Sequence, residues 1–234
     1  MQQQLGSTAV ATKRVPGGLY ITIEGPSCTG KDTQIALLAT HLREQGYAVI
    51  HTLQPGGTAI GAGIRQILLR PDLRPQFMVK TEAMLYWADR VQQHEELVKP
   101  ALADGVIVLG SRDFDSSYVY QCAIHGLDEE WMDALRALLI GNFAPTKTIL
   151  LLIDERTFRV RSENRKLASA IDKNEMRVDE QAVQQFNRIR EAFIERAEKE
   201  PHRFVTIDVE RTINEVQQDI LAVITTLIAQ SEQR

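Results

Sequence analysis

The chain is poor in cysteine, with only Cys28 and Cys122 among 234 residues. Two thiols build no disulfide framework, and a reducing compartment is the simpler setting. Long apolar runs are missing too: none approaches the roughly 18 residues that a bilayer span needs. Met1–Pro16 carries neither the apolar core of a signal peptide nor the dense arginines of a transit peptide. It reads as a loose polar tail ahead of one domain over residues 17–234, in a protein expected to be cytoplasmic and away from membranes. Nor is there an excess of positive charge. With 27 Lys+Arg against 31 Asp+Glu, the formal charge is −4, so stable nucleic-acid binding is not expected, although a local basic patch is allowed. Repeats, low-complexity blocks and linkers are absent from the sequence. What is present is an ordinary globular balance, 44% hydrophobic and 25% charged, which excludes wholesale disorder. A chain of this length buries roughly 70–75% of its unfolded surface and needs no metal or disulfide to fold.

Short β-rich runs alternate with longer helical patterns. The runs are Leu19–Ile23, Ala48–Leu53, Val106–Leu109, Thr148–Ile153 and Phe204–Ile207. Lys31–Gln45, Glu82–Lys99, Glu129–Leu139 and Gln181–Glu200 carry apolar residues at helical spacing, and Ile213–Ile228 puts a further apolar stripe on one helix. The alternation predicts an α/β fold: a five-stranded parallel sheet with helices on both faces. Two segments break the rhythm. Gln54–Gly63 is glycine-rich and reads as a backbone-shaped loop, and the basic segment 156–177 reads either as a solvated helix face or as something that meets an anion.

The sharpest signal is Gly25-Pro-Ser-Cys-Thr-Gly30-Lys31-Asp32-Thr33, directly after one predicted strand and before a helix. This is the G-x-x-x-x-G-K frame of a phosphate-binding loop in its required context, so the fold is P-loop NTPase-like. Glycines at both ends let the backbone of Gly25, Ser27, Cys28, Thr29 and Gly30 curl its N–H groups toward phosphate oxygens. The helix N-terminus adds its positive end, and Lys31 supplies a mobile charge. The ligand this implies is a nucleotide with β- and γ-phosphates. After the lysine the frame asks for a hydroxyl to ligate Mg²⁺, yet Asp32 stands there with Thr33 next. A carboxylate can ligate Mg²⁺ as well, so Asp32 and Thr33 are the candidate metal residues, and strongly Mg²⁺-dependent binding is expected. Cys28, at a helix N-terminus, is either a stabilised thiolate or simply a small loop residue.

Three further motifs follow in order: Gln54-Pro55-Gly-Gly-Thr58, Tyr86-Trp-Ala-Asp-Arg90, and Ser111-Arg112-Asp-Phe-Asp-Ser-Ser117 running into Tyr120-Gln121. Together with the loop they make the chain resemble the thymidylate kinase family, P-loop nucleoside monophosphate kinases, from about Leu19 onward. The resemblance implies transfer of the ATP γ-phosphoryl group to dTMP, giving dTDP and ADP. It implies a substrate site at Gln54, Pro55, Tyr86, Arg90, Arg112, Ser117, Tyr120 and Gln121. In it Tyr86 lies against the base, Arg112 holds the acceptor phosphate with Arg90 beside it, Ser117 meets the pyrimidine edge and Tyr120 crowds the sugar 2′ position. Tyr86 can equally belong to the core face of Met84–Trp87. By position, residues 156–177 become a basic lid, with Arg161, Arg165 and Arg177 as its candidate inward arginines. The family also implies a homodimer through helices, which the apolar positions of Glu82–Lys99 permit.

The chain departs from the family pattern in a cluster. Ser27 replaces an acid in the loop, Gln54 a glutamate, Leu53 an arginine, and Ser111 the aspartate before the strand-end arginine. Asp32, Asp113 and Asp115 are carboxylates that are new or displaced nearby. Relocated metal ligands, a different (deoxy)nucleoside monophosphate as acceptor, or a catalytically weak nucleotide-binding homologue would each account for this. Phosphoryl transfer depends mainly on positioning and electrostatics, which favours an active enzyme.

Overall fold

The computed structural model describes residues 12–168 and 173–233, with side chains described except at 74 and 165–184. In chain order the elements are β1 Leu19–Glu24, α1 Lys31–Glu44, β2 Val49–Leu53, α2 Ala59–Leu68, α3 Val79–Gln93, α4 Lys99–Ala103, β3 Ile107–Ser111, α5 Phe114–Ser117, α6 Glu129–Ile140, β4 Lys147–Leu152, α7 Glu155–Ala168, α8 Lys173–Lys199, β5 Phe204–Asp208 and α9 Ile213–Glu232. π-type turns at His94–Val98 and Tyr118–Ile124 continue α3 and α5.

All five strands are parallel, in the order β2-β3-β1-β4-β5. β1 and β3 are buried along their whole length, as a sheet covered on both faces requires. Alternation divides their side chains between those faces. Leu19, Ile21, Ile23, Ile107 and Leu109 join the core under α1 and α9, whereas Tyr20 and Val108 pack with Val98 and Ala101 of the opposite layer. On α9 the four-residue spacing of Val216, Ile220, Ile224 and Ile228 supplies the buried stripe, and Ile213, expected on it, is exposed.

Two sequence expectations need correction. The loose tail up to Pro16 is anchored from Lys13: its N–H donates to Gly46 O (2.7 Å), Val15 N–H donates to Gly105 O (2.8 Å), and Val15 is fully buried. One valine among polar residues has no periodicity to announce it. Residues 1–11 lie outside the described residues. The loop expected over Gln54–Gly63 ends at Thr58, whose side chain accepts from Gly61 N–H and caps α2. Glycines 61 and 63 disguise the first turn of that helix.

The registers level the strand ends. Ser111 pairs with Ile23 on one side and Leu53 on the other. The residues that follow, Glu24 and the phosphate loop, Gln54, and Arg112, therefore meet at one edge of the sheet. The chain goes from β1 to one side for β2 and β3 and to the other for β4. The loop after β1 thus sits at the switch point where open α/β sheets bind ligands.

Candidate active site

Gly25 leaves β1 with φ 135°, where a Cβ would lie 2.3 Å from Leu151 O. Only glycine lets the loop pass β4 so closely. Gly30, at φ 88°, caps the start of α1, and Cys28 adopts a left-handed conformation at φ 64°. The backbone thus wraps round the N-terminus of a 14-residue helix. Lys31 is buried and folds over the loop, donating from Nζ to Pro26 O (2.7 Å) and Gly25 O (3.1 Å). Burial pushes its ammonium down to about 7; Arg112 adds to the effect, and Asp32 and Glu24 oppose it.

Arg112 follows β3 with φ 71°, a strained conformation for a long side chain. Its backbone N–H donates to Ile23 O (3.1 Å), and its guanidinium donates to Ser116 Oγ (2.8 Å) and Tyr120 OH (3.4 Å). Behind it lies Glu24, 3.7 Å away and fully buried, which accepts from Asp113 N–H (2.8 Å) and Ser116 Oγ (2.7 Å). Burial raises the Glu24 carboxyl above its ordinary range, against the pull of Arg112. Glu24 therefore fixes the turn that aims Arg112. The motif reading missed it because its position ahead of the loop looks like plain strand.

Arg90 is buried on α3. Its Nε donates to Gln54 Oε1 (2.9 Å) and Asp113 Oδ1 (3.0 Å), while Nη1 is buried with no hydrogen-bond partner among the described residues. Gln54 uses both ends of its amide, accepting from Arg90 and donating to Gln93 Oε1 (2.8 Å). An amide suits that place because one end must donate and the other accept. Asp113 accepts from Tyr20 OH (2.9 Å) and His94 Nε2 (3.2 Å) as well. Burial opposes its charge, but His94 and Arg90 together hold its carboxyl well below the usual range. Asp115 is buried under the same turn and accepts from Arg196 Nε (2.8 Å) and both terminal nitrogens of Arg203 (2.7 Å each). The two displaced carboxylates are thus taken up in bracing the turn, and Asp115 lies off the cleft wall.

A cleft of about 850 Å³ opens between these elements. Ser27, Cys28, Gly30, Lys31, Asp32, Thr33, Gln54, Pro55, Tyr86, Arg90, Arg112, Ser117, Tyr120, Gln121 and Arg161 all line it, whereas Gly25 and Thr29 are buried and do not. Tyr86 is half-buried in the wall, and the core place beside it goes to the fully buried Trp87. Arg161, from α7, donates to Val209 O (2.9 Å) and Cys28 O (3.4 Å), so one arginine of the basic segment rests on the phosphate loop. The side chains of Arg165 and Arg177 lie outside the described residues. The cleft wall also holds groups the motifs did not point to, among them His51, Arg65, and the pair Glu82–His125 with His125 Nδ1 3.2 Å from Glu82 Oε2.

Asp32 and Ser111 meet at the cleft mouth, with Ser111 Oγ donating to Asp32 Oδ1 at 3.0 Å. No cluster of three or more His, Cys, Asp or Glu suited to a metal ion occurs among the described residues. One carboxylate beside one hydroxyl fits Mg²⁺ all the same, since that ion keeps waters and takes its other ligands from substrate phosphates.

A phosphate loop at the switch point of a parallel sheet, facing two arginines across a cleft, defines a P-loop nucleotide-binding protein. The profile described as thymidylate kinase matches residues 23–220, and the chain belongs to that family. The chain is 38% identical over 203 residues to thymidylate kinase of Thiobacillus denitrificans, spanning 87% of this chain and 94% of the relative. It is 36% identical over 207 residues to that of Alcanivorax borkumensis, spanning 88% and 96%. The crystal structure of thymidylate kinase from Ehrlichia chaffeensis superposes with a TM-score of 0.68 at 28% identity, covering 90% of this chain and 99% of that one.

Proposed function

We propose that this protein transfers the γ-phosphoryl group of ATP to dTMP, giving dTDP and ADP. The observation that carries the proposal is the meeting, in one cleft, of a phosphate loop and an acceptor wall of Tyr86, Arg90, Arg112 and Ser117. Lys31 and the loop amides hold the donor phosphates, assisted by the N-terminus of α1. Arg112, aimed by Glu24, presents its fork to the acceptor phosphate, and Arg90, on the same wall, orients the acceptor beside it. Tyr86 stacks on the base, a contact worth about 1–3 kcal/mol. Gln54, Pro55 and Gln121 complete the wall, and Tyr120 narrows the space at the sugar 2′ position. Arg161, and Arg165 in the same segment, belong to a lid that excludes water and spreads charge in the transition state. Asp32, with Thr33 adjacent, would hold Mg²⁺, which would supply charge neutralisation at the donor phosphates. No strong general base is needed, because the acceptor phosphate is already ionised.

The same reading makes small nucleotides, rather than nucleic acid, the partners of the chain. No helix among the described residues is long and apolar enough to cross a membrane. A chain with only two cysteines suits a reducing compartment, and the cytoplasm is the proposed location. A homodimer belongs to the proposal as well. The test is ADP release from ATP and Mg²⁺ with dTMP, dUMP, dCMP, dAMP and dGMP in separate reactions. Turnover greatest with dTMP is expected. Another preferred acceptor, or silence with all five, would overturn the assignment.

A further inference from the structure

Phosphate-loop enzymes divide metal binding between a hydroxyl on the loop, directly after the lysine, and a carboxylate on a second segment near it. In this chain the position after Lys31 carries the carboxylate, Asp32, and the last residue of the neighbouring strand β3 carries the hydroxyl, Ser111. The register pairs Ser111 with Ile23, next to the residue from which the loop departs, so the two side chains face each other across that boundary. They are joined by the 3.0 Å hydrogen bond from Ser111 Oγ to Asp32 Oδ1. Three carboxylates near the pair are engaged elsewhere: Glu24 by Asp113 N–H and Ser116, Asp113 by Arg90, His94 and Tyr20, and Asp115 by Arg196 and Arg203. Asp32 alone of this group is exposed to solvent at the mouth. It also stands in the first turn of α1, where the helix dipole favours an anion.

We infer that Asp32 and Ser111 have exchanged these two duties and act as one unit, with the carboxylate reaching the ion from the loop and the hydroxyl, from the strand, fixing which carboxylate oxygen is presented. The inference rests on the phosphate-loop reading above but not on the identity of the acceptor. One carboxylate and one hydroxyl are kept within hydrogen-bond reach, so the pair should tolerate being exchanged back and should not tolerate losing its acid. Ser111 is here a positioning residue.

The test is Mn²⁺ binding to the enzyme–ADP complex, read by electron paramagnetic resonance, for the wild type, Asp32→Thr, Ser111→Ala and the double variant Asp32→Thr/Ser111→Asp. Asp32→Thr is expected to weaken Mn²⁺ at least roughly tenfold, as loss of the sole charged ligand should. The double variant is expected to return within about threefold of the wild type, with turnover recovering in parallel. Ser111→Ala keeps the acid but frees its orientation and should weaken Mn²⁺ by about tenfold, the low end of the usual cost of removing the partner that orients a ligand. Unchanged Mn²⁺ binding in Asp32→Thr would overturn the inference, and so would a folded double variant no better than Asp32→Thr. If the double variant does not fold, unchanged binding in Ser111→Ala overturns it. A wild type with no acceptor-dependent turnover but this Mn²⁺ pattern would retire the kinase assignment and keep the pair. Turnover with dTMP but no such pattern would do the reverse.

Discussion

Lys31 concentrates the physical tension of the site in one side chain. With its ammonium buried against the loop carbonyls and Arg112, its pKa falls from the ordinary 10.5 to about 7. Without nucleotide at pH 8 it is largely neutral; beside polyphosphate it must be charged. ATP binding at pH 8 should therefore take up protons, approaching about one per site, and the uptake should vanish by about pH 5.5, where the lysine is already protonated. Affinity for ATP falls as pH rises through 7 for the same reason. Calorimetry in buffers of different ionisation enthalpy measures the uptake, and Lys31→Ala should abolish it. Uptake unchanged in Lys31→Ala would contradict the account. The stability sign is opposite to that of a paired lysine. Between pH 7 and 10.5 the unfolded chain holds the extra proton, so this group makes folding more favourable as pH rises through that window. The frame that identifies Lys31 was legible in the sequence because the loop is local. The duties of Glu24 and Asp113 were not. Asp113 meets Tyr20, Arg90 and His94 at separations of 93, 23 and 19 residues, and no spacing rule reports which carboxylate oxygens are already engaged.

At the scale of elements, α2 carries the clearest surface argument. Ile60, Ile64 and Ile67 recur at helical spacing along it, with Ile60 57% and Ile67 43% exposed, and Met84 of the adjoining α3 is 56% exposed. An apolar stripe across two packed helices suits a two-fold interface, in which the same patch meets itself. Analytical ultracentrifugation should give twice the chain mass of 26.4 kDa. The double variant Ile60→Asp/Ile67→Asp should sediment as a folded monomer. A monomeric wild type, or a double variant that stays dimeric, would contradict the proposal. The sequence hid this helix behind two glycines and presented it as loop. The five strands were legible almost to the residue, since buried parallel strands are short apolar runs bounded by turns. The basic segment showed its charge, but only tertiary placement shows Arg161 resting against Cys28 and Val209.

For the whole molecule, the strand order decides what the motifs can do together. β1 lies between β3 and β4, so the phosphate loop, the turn of Arg112 and the loop of Gln54 open at one edge although they are spread over nearly ninety residues. Order and spacing of the motifs were readable beforehand, whereas the closing of Tyr86, Arg90 and Arg112 around one cleft depends on long-range packing. The central claim is that this cleft passes a phosphoryl group from ATP to dTMP. The most direct measurement follows ATP labelled in its γ-phosphate, incubated with Mg²⁺, dTMP and either the wild type or Lys31→Ala. The account predicts label in dTDP in step with ADP, and a loss of at least roughly a hundredfold in the variant, the scale on which removing one preorganised electrostatic group slows transfer. Label released as inorganic phosphate, or retained in ATP while dTMP is bound, would contradict it.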